Sequence, residues 1–120
     1  RIKSDLVELF EATYHQKLDK VALEIDQKAA TTVMLVSGGY PEAYEKGKII
    51  SGINSIEDSI VFHAGTTIKD EELVTNGGRV LAITSMDDDY RKALKKSYQN
   101  IEKLHFDTMN YRKDIGFDLS

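Results

Sequence analysis

Cysteine is absent from the 120 residues. That absence excludes a disulfide framework, a thiolate zinc site and a cysteine nucleophile. Proline occurs once, at Pro41. No apolar run approaches the roughly 18 residues that a membrane-spanning helix needs, and no signal peptide opens the chain. A cytoplasmic protein with no membrane partner is therefore the expectation. Histidine is sparse and scattered: His15, His63 and His105 form no helix-spaced metal pair, so no metal ligand is assigned. Three sequence signatures are missing as well: the Gly-x-Ser-x-Gly elbow of serine hydrolases, the Gly-x-Gly-x-x-Gly dinucleotide fingerprint, and the Gly-Lys-Ser/Thr of a phosphate-binding loop. Positive charge is not in excess. Sixteen Lys and Arg against 20 Asp and Glu leave a net charge of −4, which argues against a nucleic-acid partner. A local basic cluster that grips one phosphate remains compatible with that balance.

What is present fits one soluble domain with an ordinary apolar content of 41%. Ser4 is placed to cap a helix, and Leu6, Val7, Phe10 and Tyr14 recur at helical spacing over residues 4–16. Val21, Leu23 and Ile25 alternate within a charged stretch that reads as a short exposed strand. Thr31–Val36 is β-branched and apolar and reads as a buried strand, stopped by Gly38-Gly39-Tyr40-Pro41. Pro41 is placed to open a short helical turn over 42–45, and Lys48–Ser51 is a further strand candidate. Ile60–His63 and Arg79–Thr84 read as strands. Between them, Thr66–Leu73 resembles one limb of a hairpin, and Asn76-Gly77-Gly78 is the strongest turn signal. Asp87-Asp88-Asp89 loads the start of a long helix whose face is traced by Tyr90, Leu94, Ser97, Ile101 and Leu104. The tail from His105 has no clean period but enough apolar residues to pack. Strands clustered between two helices, without helix-length crossovers, predict an α+β fold: a mostly antiparallel sheet with flanking helices.

Four segments carry candidate chemistry. In Thr75-Asn76-Gly77-Gly78-Arg79, two glycines admit close approach of an anion to the backbone, and Arg79 offers a bidentate fork. The same residues also suit a plain hairpin turn followed by an exposed arginine. Arg112 and Lys113, in Tyr111-Arg112-Lys113-Asp114-Ile115-Gly116, pair a planar fork with a point charge. Asp114 is placed to hold either, and a solvated charged loop is the other reading. His63 ends a strand whose alternation puts Val61 and His63 on one face and Ile60 and Phe62 on the other; it suits a ligand contact or a hydrogen-bonded structural role. Ser37-Gly38-Gly39-Tyr40-Pro41 reads as a turn. Taken alone, these residues name two anion sites and no reaction.

Taken in order, Lys3-Ser4-Asp5-Leu6-Val7-Glu8-Leu9, Ser37-Gly38-Gly39-Tyr40-Pro41, Phe62-His63-Ala64-Gly65-Thr66, Val74-Thr75-Asn76-Gly77-Gly78-Arg79-Val80-Leu81 and Tyr111–Gly116 resemble the glycinamide ribonucleotide synthetase family of ATP-grasp ligases. The resemblance runs from Lys3 to Ile115. It implies a ligase that activates glycine with ATP as an acyl phosphate and transfers it to the amine of 5-phosphoribosylamine in purine biosynthesis. ATP and a magnesium or manganese ion are implied for the whole enzyme and none for this piece, because the family's Glu and Asn metal ligands match nothing here. The start at Arg1 rather than Met agrees with a piece of a longer protein, inactive by itself, whose other partners are its own upstream domains. Residues 1–30 would then end the ATP-grasp domain, and 31–120 would form a C-terminal domain similar to that of biotin carboxylase. The resemblance further implies that Arg79, Arg112 and Lys113 grip the ribose phosphate. Thr75, Asn76, Gly77 and Gly78 would shape the loop and His63 would make a positioning contact; no catalytic base is implied. A related ATP-grasp carboxylase and a non-enzymatic binding module are the alternatives: the Asn-Gly-Gly-Arg loop combined with Tyr-Arg-Lys-Asp argues against the first, and the missing initiator Met against the second, which would need no upstream domain.

Overall fold

The structure, a computed structural model, describes residues 1–119. Its elements in chain order are α1 (Leu6–Tyr14), β1 (Ala29–Val36), β2 (Ser59–His63), β3 (Thr66–Lys69), β4 (Glu72–Thr75), β5 (Arg79–Asp87) and α2 (Tyr90–Ile101). All the strand pairs are antiparallel. β1, β5 and β2 form a sheet in the order β1-β5-β2, and β3 and β4 form a separate ribbon. The α+β class expected from the pattern is the class found. No helix among the described residues is long and apolar enough to cross a membrane.

α2 covers one face of the three-stranded sheet, and the register explains which residues become core. Val33 lies opposite Ile83 and Leu35 opposite Leu81, and all four are fully buried. Ile50, Val80, Ile101, Leu104 and Phe106 complete this cluster, with Val61 packed against it. Each such side chain contributes roughly 1.5–3 kcal/mol on leaving water. Much of the opposite sheet face is open among the described residues: Ala30 and Thr32 are exposed, and Ile60 and Phe62 are 53% and 52% exposed. β1 therefore buries alternate residues rather than its whole length, a correction to the sequence reading that follows from single-sided packing.

Past Leu35 the register slips, so that Val36 pairs with Arg79 instead of Val80. This is a β-bulge, which leaves one residue of the longer strand unpaired and re-aims its neighbours. Val80 and Leu81 consequently both enter the core, although adjacent strand residues ordinarily face opposite ways. Arg79 is left on the open face, where it shares a depression with Met34.

The helix starts are set by aspartates. Asp5, not Ser4, caps α1: its Oδ1 accepts from the N–H groups of Val7 (2.7 Å) and Glu8 (3.4 Å). The Ser4 hydroxyl instead accepts from Glu24 N–H and donates to the Ala22 carbonyl. Asp89 caps α2 through the N–H groups of Arg91 and Lys92. α2 buries Ala93, Ser97, Asn100 and Ile101, so Tyr90 and Leu94 stand at the edge of the buried stripe rather than within it. Ser97 and Asn100 reach the sheet through polar contacts. The Ser97 hydroxyl lies 2.7 Å from that of Ser85, which lies 2.7 Å from that of Ser59, and Asn100 Nδ2 donates to Ser59 Oγ at 2.7 Å.

Several expected elements do not form. The Lys17–Lys28 stretch holds a 3-10 turn at Leu18–Lys20 and a lone bridge from Ile25 to Ile2, because only the first few residues lie beside it. Residues 42–45 form no helix, with a bend at 42–43 after the turn at 38–41, and Lys48–Ser51 makes only isolated bridges to Val74 and His105. The hairpin turn is Asp70-Glu71, whose φ values of 50° and 66° join Lys69 to its partner Glu72. Asn76-Gly77-Gly78 carries the chain from the β3–β4 ribbon to β5 in the other sheet.

Candidate functional site

Three chain segments meet on the open face beside the bulge. β1 brings Met34 and Val36, and β5 brings Arg79. The tail is joined to the end of β1: Val36 N–H donates to the Asn110 carbonyl at 2.8 Å, and Asn110 N–H returns to the Val36 carbonyl at 3.0 Å. α2 holds the next turn of the tail through one hydroxyl. Tyr98 O–H donates to the Arg112 carbonyl (2.9 Å) and accepts from Ile115 N–H (3.2 Å). The result is a cavity of about 330 Å³ lined by Arg79 and Arg112, with Met34, Val36, Tyr111 and Ile115 among its apolar walls. A second depression of about 590 Å³ shares Arg79, Met34 and Tyr40 with it and extends to Gly65 and Gly78.

The two guanidinium groups differ in the counter-charge beside them. Arg112 is held by Asp114 in a bidentate pair, with Nε to Oδ1 and Nη2 to Oδ2 both at 2.9 Å. Those hydrogen bonds hold the Asp114 carboxyl below the usual carboxylate range and raise Arg112 above its own ordinary value. Two of the five guanidinium N–H donors are thereby used and the rest remain for another acceptor. Arg79 makes no ion pair among the described residues. One cation without a local counter-charge thus shares an apolar-walled cavity with a second whose charge is partly offset by Asp114. That arrangement favours a ligand carrying both an anionic group and some apolar surface.

The loop between β1 and Lys48 is fixed beside this cavity. Lys48 Nζ pairs with Glu45 (2.6 Å) and Asp107 (3.2 Å), and both carboxylates raise its pKa, with Glu45 contributing first. The contact ties the loop that carries Tyr40 to the tail that carries Arg112.

The residues expected from the sequence separate into groups. Arg79, Arg112 and Gly78 border the joined depressions. Lys113 is exposed and lines neither of them, although it neighbours Arg112 in sequence. Thr75 is 1% exposed, and its hydroxyl accepts from Lys48 N–H at 3.1 Å, so its oxygen serves the fold. Asn76 is exposed with its N–H donated to the Gly65 carbonyl at 2.8 Å. Neither Gly77 nor Gly78 adopts positive φ. Close packing is what a side chain at Gly77 would disturb, since its Cβ would lie 3.0 Å from Gly65 Cα. His63 lines a separate depression with Ile50, Ile68 and Leu73, and its Nδ1 lies 3.0 Å from the Thr66 hydroxyl.

Sequence reasoning missed Met34, Val36, Tyr40, Asn110 and Ile115 as lining residues. Tyr40 sat in a segment read only as a turn, and Tyr111 was quoted only as a neighbour of Arg112. No local signal marks the bulge, because Val80-Leu81-Ala82-Ile83 is a continuous apolar run in which no residue stands out.

Comparison with known proteins gives the arrangement a family. The profile described as phosphoribosylglycinamide synthetase, C domain, matches residues 30–118. A phosphoribosylamine–glycine ligase of Caldanaerobacter subterraneus is 43% identical over 115 residues, covering 96% of this chain and 28% of the relative. A bifunctional purine biosynthetic protein, ADE1, of Schizosaccharomyces pombe is 42% identical over 117 residues, 96% of this chain and 15% of that protein. Among solved structures, a phosphoribosylamine–glycine ligase of Thermotoga maritima superposes with a TM-score of 0.72 at 37% identity, over 89% of this chain and 27% of that one. The chain spans little more than a quarter of the length of the ligases that it matches. With the match covering nearly all of the two-sheet unit and the cavity beside the bulge, the chain belongs to the phosphoribosylglycinamide synthetase family, its residues 30–118 matching the C domain.

Proposed function

We propose that this chain is the C-terminal substrate-binding part of an ATP-dependent ligase that joins glycine to 5-phosphoribosylamine, giving glycinamide ribonucleotide in purine biosynthesis. Within it, Arg79 and Arg112 hold the ribose phosphate. The observation that carries this reading is the shared cavity: two arginines from distant parts of the chain line one space with apolar walls. Phosphate oxygens accept from both forks, while the walls exclude water from the sugar. The amine of the bound sugar is then presented outward, toward glycine held by the rest of the enzyme. Holding the phosphate converts an encounter in solution into a positioned attack.

ATP supplies the phosphoryl group that activates the glycine carboxylate, and a magnesium or manganese ion offsets the charge on its phosphates. Among the described residues no group of three or more His, Cys, Asp or Glu side chains could hold a metal ion. On this reading the ion and the nucleotide are held by upstream domains of the same cytoplasmic enzyme. On this reading residues 1–30 close the ATP-grasp domain and the C-terminal domain begins at 31. Two observations support that boundary. The family match starts at residue 30. The apolar side of α1 also lacks a partner here, with Val7, Phe10 and Tyr14 at 64%, 67% and 83% exposure, as suits a helix built to pack on another part of the protein.

Steady-state kinetics of the full-length enzyme test the proposal. Arg79→Ala removes a charge-assisted contact worth about 1.5–3 kcal/mol, so the apparent constant for phosphoribosylamine should rise about ten- to a hundredfold. The constant for ATP should stay close to wild type. An equal loss for ATP would remove Arg79 from the phosphate site.

A further inference from the structure

Gly78 is buried, and its φ lies outside the left-handed region occupied by Gly39, Gly47, Gly52 and Gly116, so backbone conformation does not call for glycine there. Space does. A Cβ at this position would collide with Cδ2 of Tyr40 and stand 2.6 Å from Cε2 and 3.0 Å from Cγ. The turn that carries the ring is fastened to the same backbone. Ser37 N–H donates to the Gly78 carbonyl (2.8 Å), and the buried Ser37 hydroxyl donates to the Gly77 carbonyl (2.9 Å). Tyr40 N–H donates back to the Ser37 carbonyl at 3.1 Å. The ring is thus seated on Gly78, the residue that precedes Arg79 in sequence.

Tyr40 borders both depressions that Arg79 borders. Its side chain is 39% exposed, and its hydroxyl makes no hydrogen bond among the described residues, whereas those of Tyr90 and Tyr98 donate to backbone carbonyls. An aromatic face with a free hydroxyl beside an arginine is suited to a furanose. The C–H face of the sugar lies on the ring, a sugar hydroxyl meets the phenol, and the phosphate reaches the guanidinium. Phosphate alone needs only the arginines. We propose that Tyr40 is a specificity-determining residue that positions the sugar ring of a phosphorylated pentose beside Arg79, and that Gly78 is the residue that admits it. This inference rests on the phosphate-site reading given above.

The test is a titration of the 120-residue chain with ribose 5-phosphate and, separately, with inorganic phosphate, followed by amide NMR shifts. The wild-type chain binds ribose 5-phosphate more tightly than phosphate. Tyr40→Leu weakens ribose 5-phosphate about tenfold, the scale of an aromatic contact, and changes inorganic phosphate by less than about twofold. Tyr40→Phe retains most of the sugar preference. Gly78→Ala acts like Tyr40→Leu when Tyr40 is present, and adds nothing in the Tyr40→Leu background, a non-additivity that a merely structural role would not produce. Should Tyr40→Leu leave ribose 5-phosphate binding unchanged, or weaken both ligands alike, Tyr40 does not read the sugar, while the phosphate site stands. Binding of both ligands that survives Arg79→Ala, or no binding of either at millimolar concentration, overturns the phosphate site and this inference with it.

Discussion

Asn100→Ala is the sharpest probe of how α2 is fastened to the sheet beneath the candidate site. Asn100 is 3% exposed. Its Nδ2 donates to the Glu57 carbonyl and to the Ser59 hydroxyl, both at 2.7 Å, and its Oδ1 accepts from Glu57 N–H at 3.4 Å. The two short bonds are worth about 1 kcal/mol each, and the long one adds little. Glu57 is exposed, so water replaces the lost partner at its carbonyl, and Ser59 keeps its bond to Ser85; neither group is left with a full desolvation penalty. Alanine regains roughly 0.5 kcal/mol of helix propensity, which the loss of buried side-chain contacts offsets. The expected destabilisation is about 2 kcal/mol. Urea unfolding followed by circular dichroism should show the midpoint lowered with the slope unchanged. Gln99→Ala, one position away on the exposed side, is the control and should stay within about 0.5 kcal/mol of wild type. Equal effects at the two positions would refute the claim that the Ser59–Ser85–Ser97–Asn100 contacts fix the helix.

Thr31 lies opposite Ser85, and its buried hydroxyl has no partner among the described residues; Thr31→Val should therefore raise stability by about 1 kcal/mol in the same urea assay, and a loss would show that the hydroxyl is satisfied in solution. Asp114 has a folded pKa depressed below its ordinary 3.8 by the Arg112 pair, so the pair stabilises fully above 3.8 and its contribution fades as the pH falls through the lower folded value. Asp114→Asn should accordingly reduce stability near neutral pH and leave it unchanged in strong acid, read from pH-dependent thermal unfolding; a difference that persists at every pH would disprove the linkage. The same substitution frees Arg112 from its carboxylate, and phosphate affinity should rise two- to threefold or hold, not fall; about half that affinity or less would mean that Asp114 orients the fork for its ligand.

The fold class was legible because its signals are local. Strand alternation through Ile60–His63, the breaks at Gly38-Gly39 and the aspartates before Tyr90 each report on a few adjacent residues. Long-range register was not legible. The slip that pairs Val36 with Arg79 depends on what lies across the sheet, and it decides both the burial of Val80 and the direction of Arg79. Turn chemistry misled for a related reason. Asn76-Gly77-Gly78 has the composition of a hairpin turn, yet its glycines answer to close packing against Gly65 and Tyr40, while the actual hairpin uses Asp70-Glu71. The amphipathic pattern of α1 was read correctly as a helix, but its apolar side finds no partner among the described residues. The site was half legible. Arg79 and Arg112 were named from residue type, whereas Lys113, equally basic and one position on, lines neither depression. Direction along an irregular tail follows no period that a sequence displays.

The most direct test is a crystal structure of the chain with ribose 5-phosphate, or of the full-length enzyme with its glycinamide ribonucleotide product. Phosphate density should be bonded to the guanidinium groups of both Arg79 and Arg112, with the sugar against Tyr40. A phosphate bound instead in the His63 depression, or at Lys113 alone, would contradict that placement.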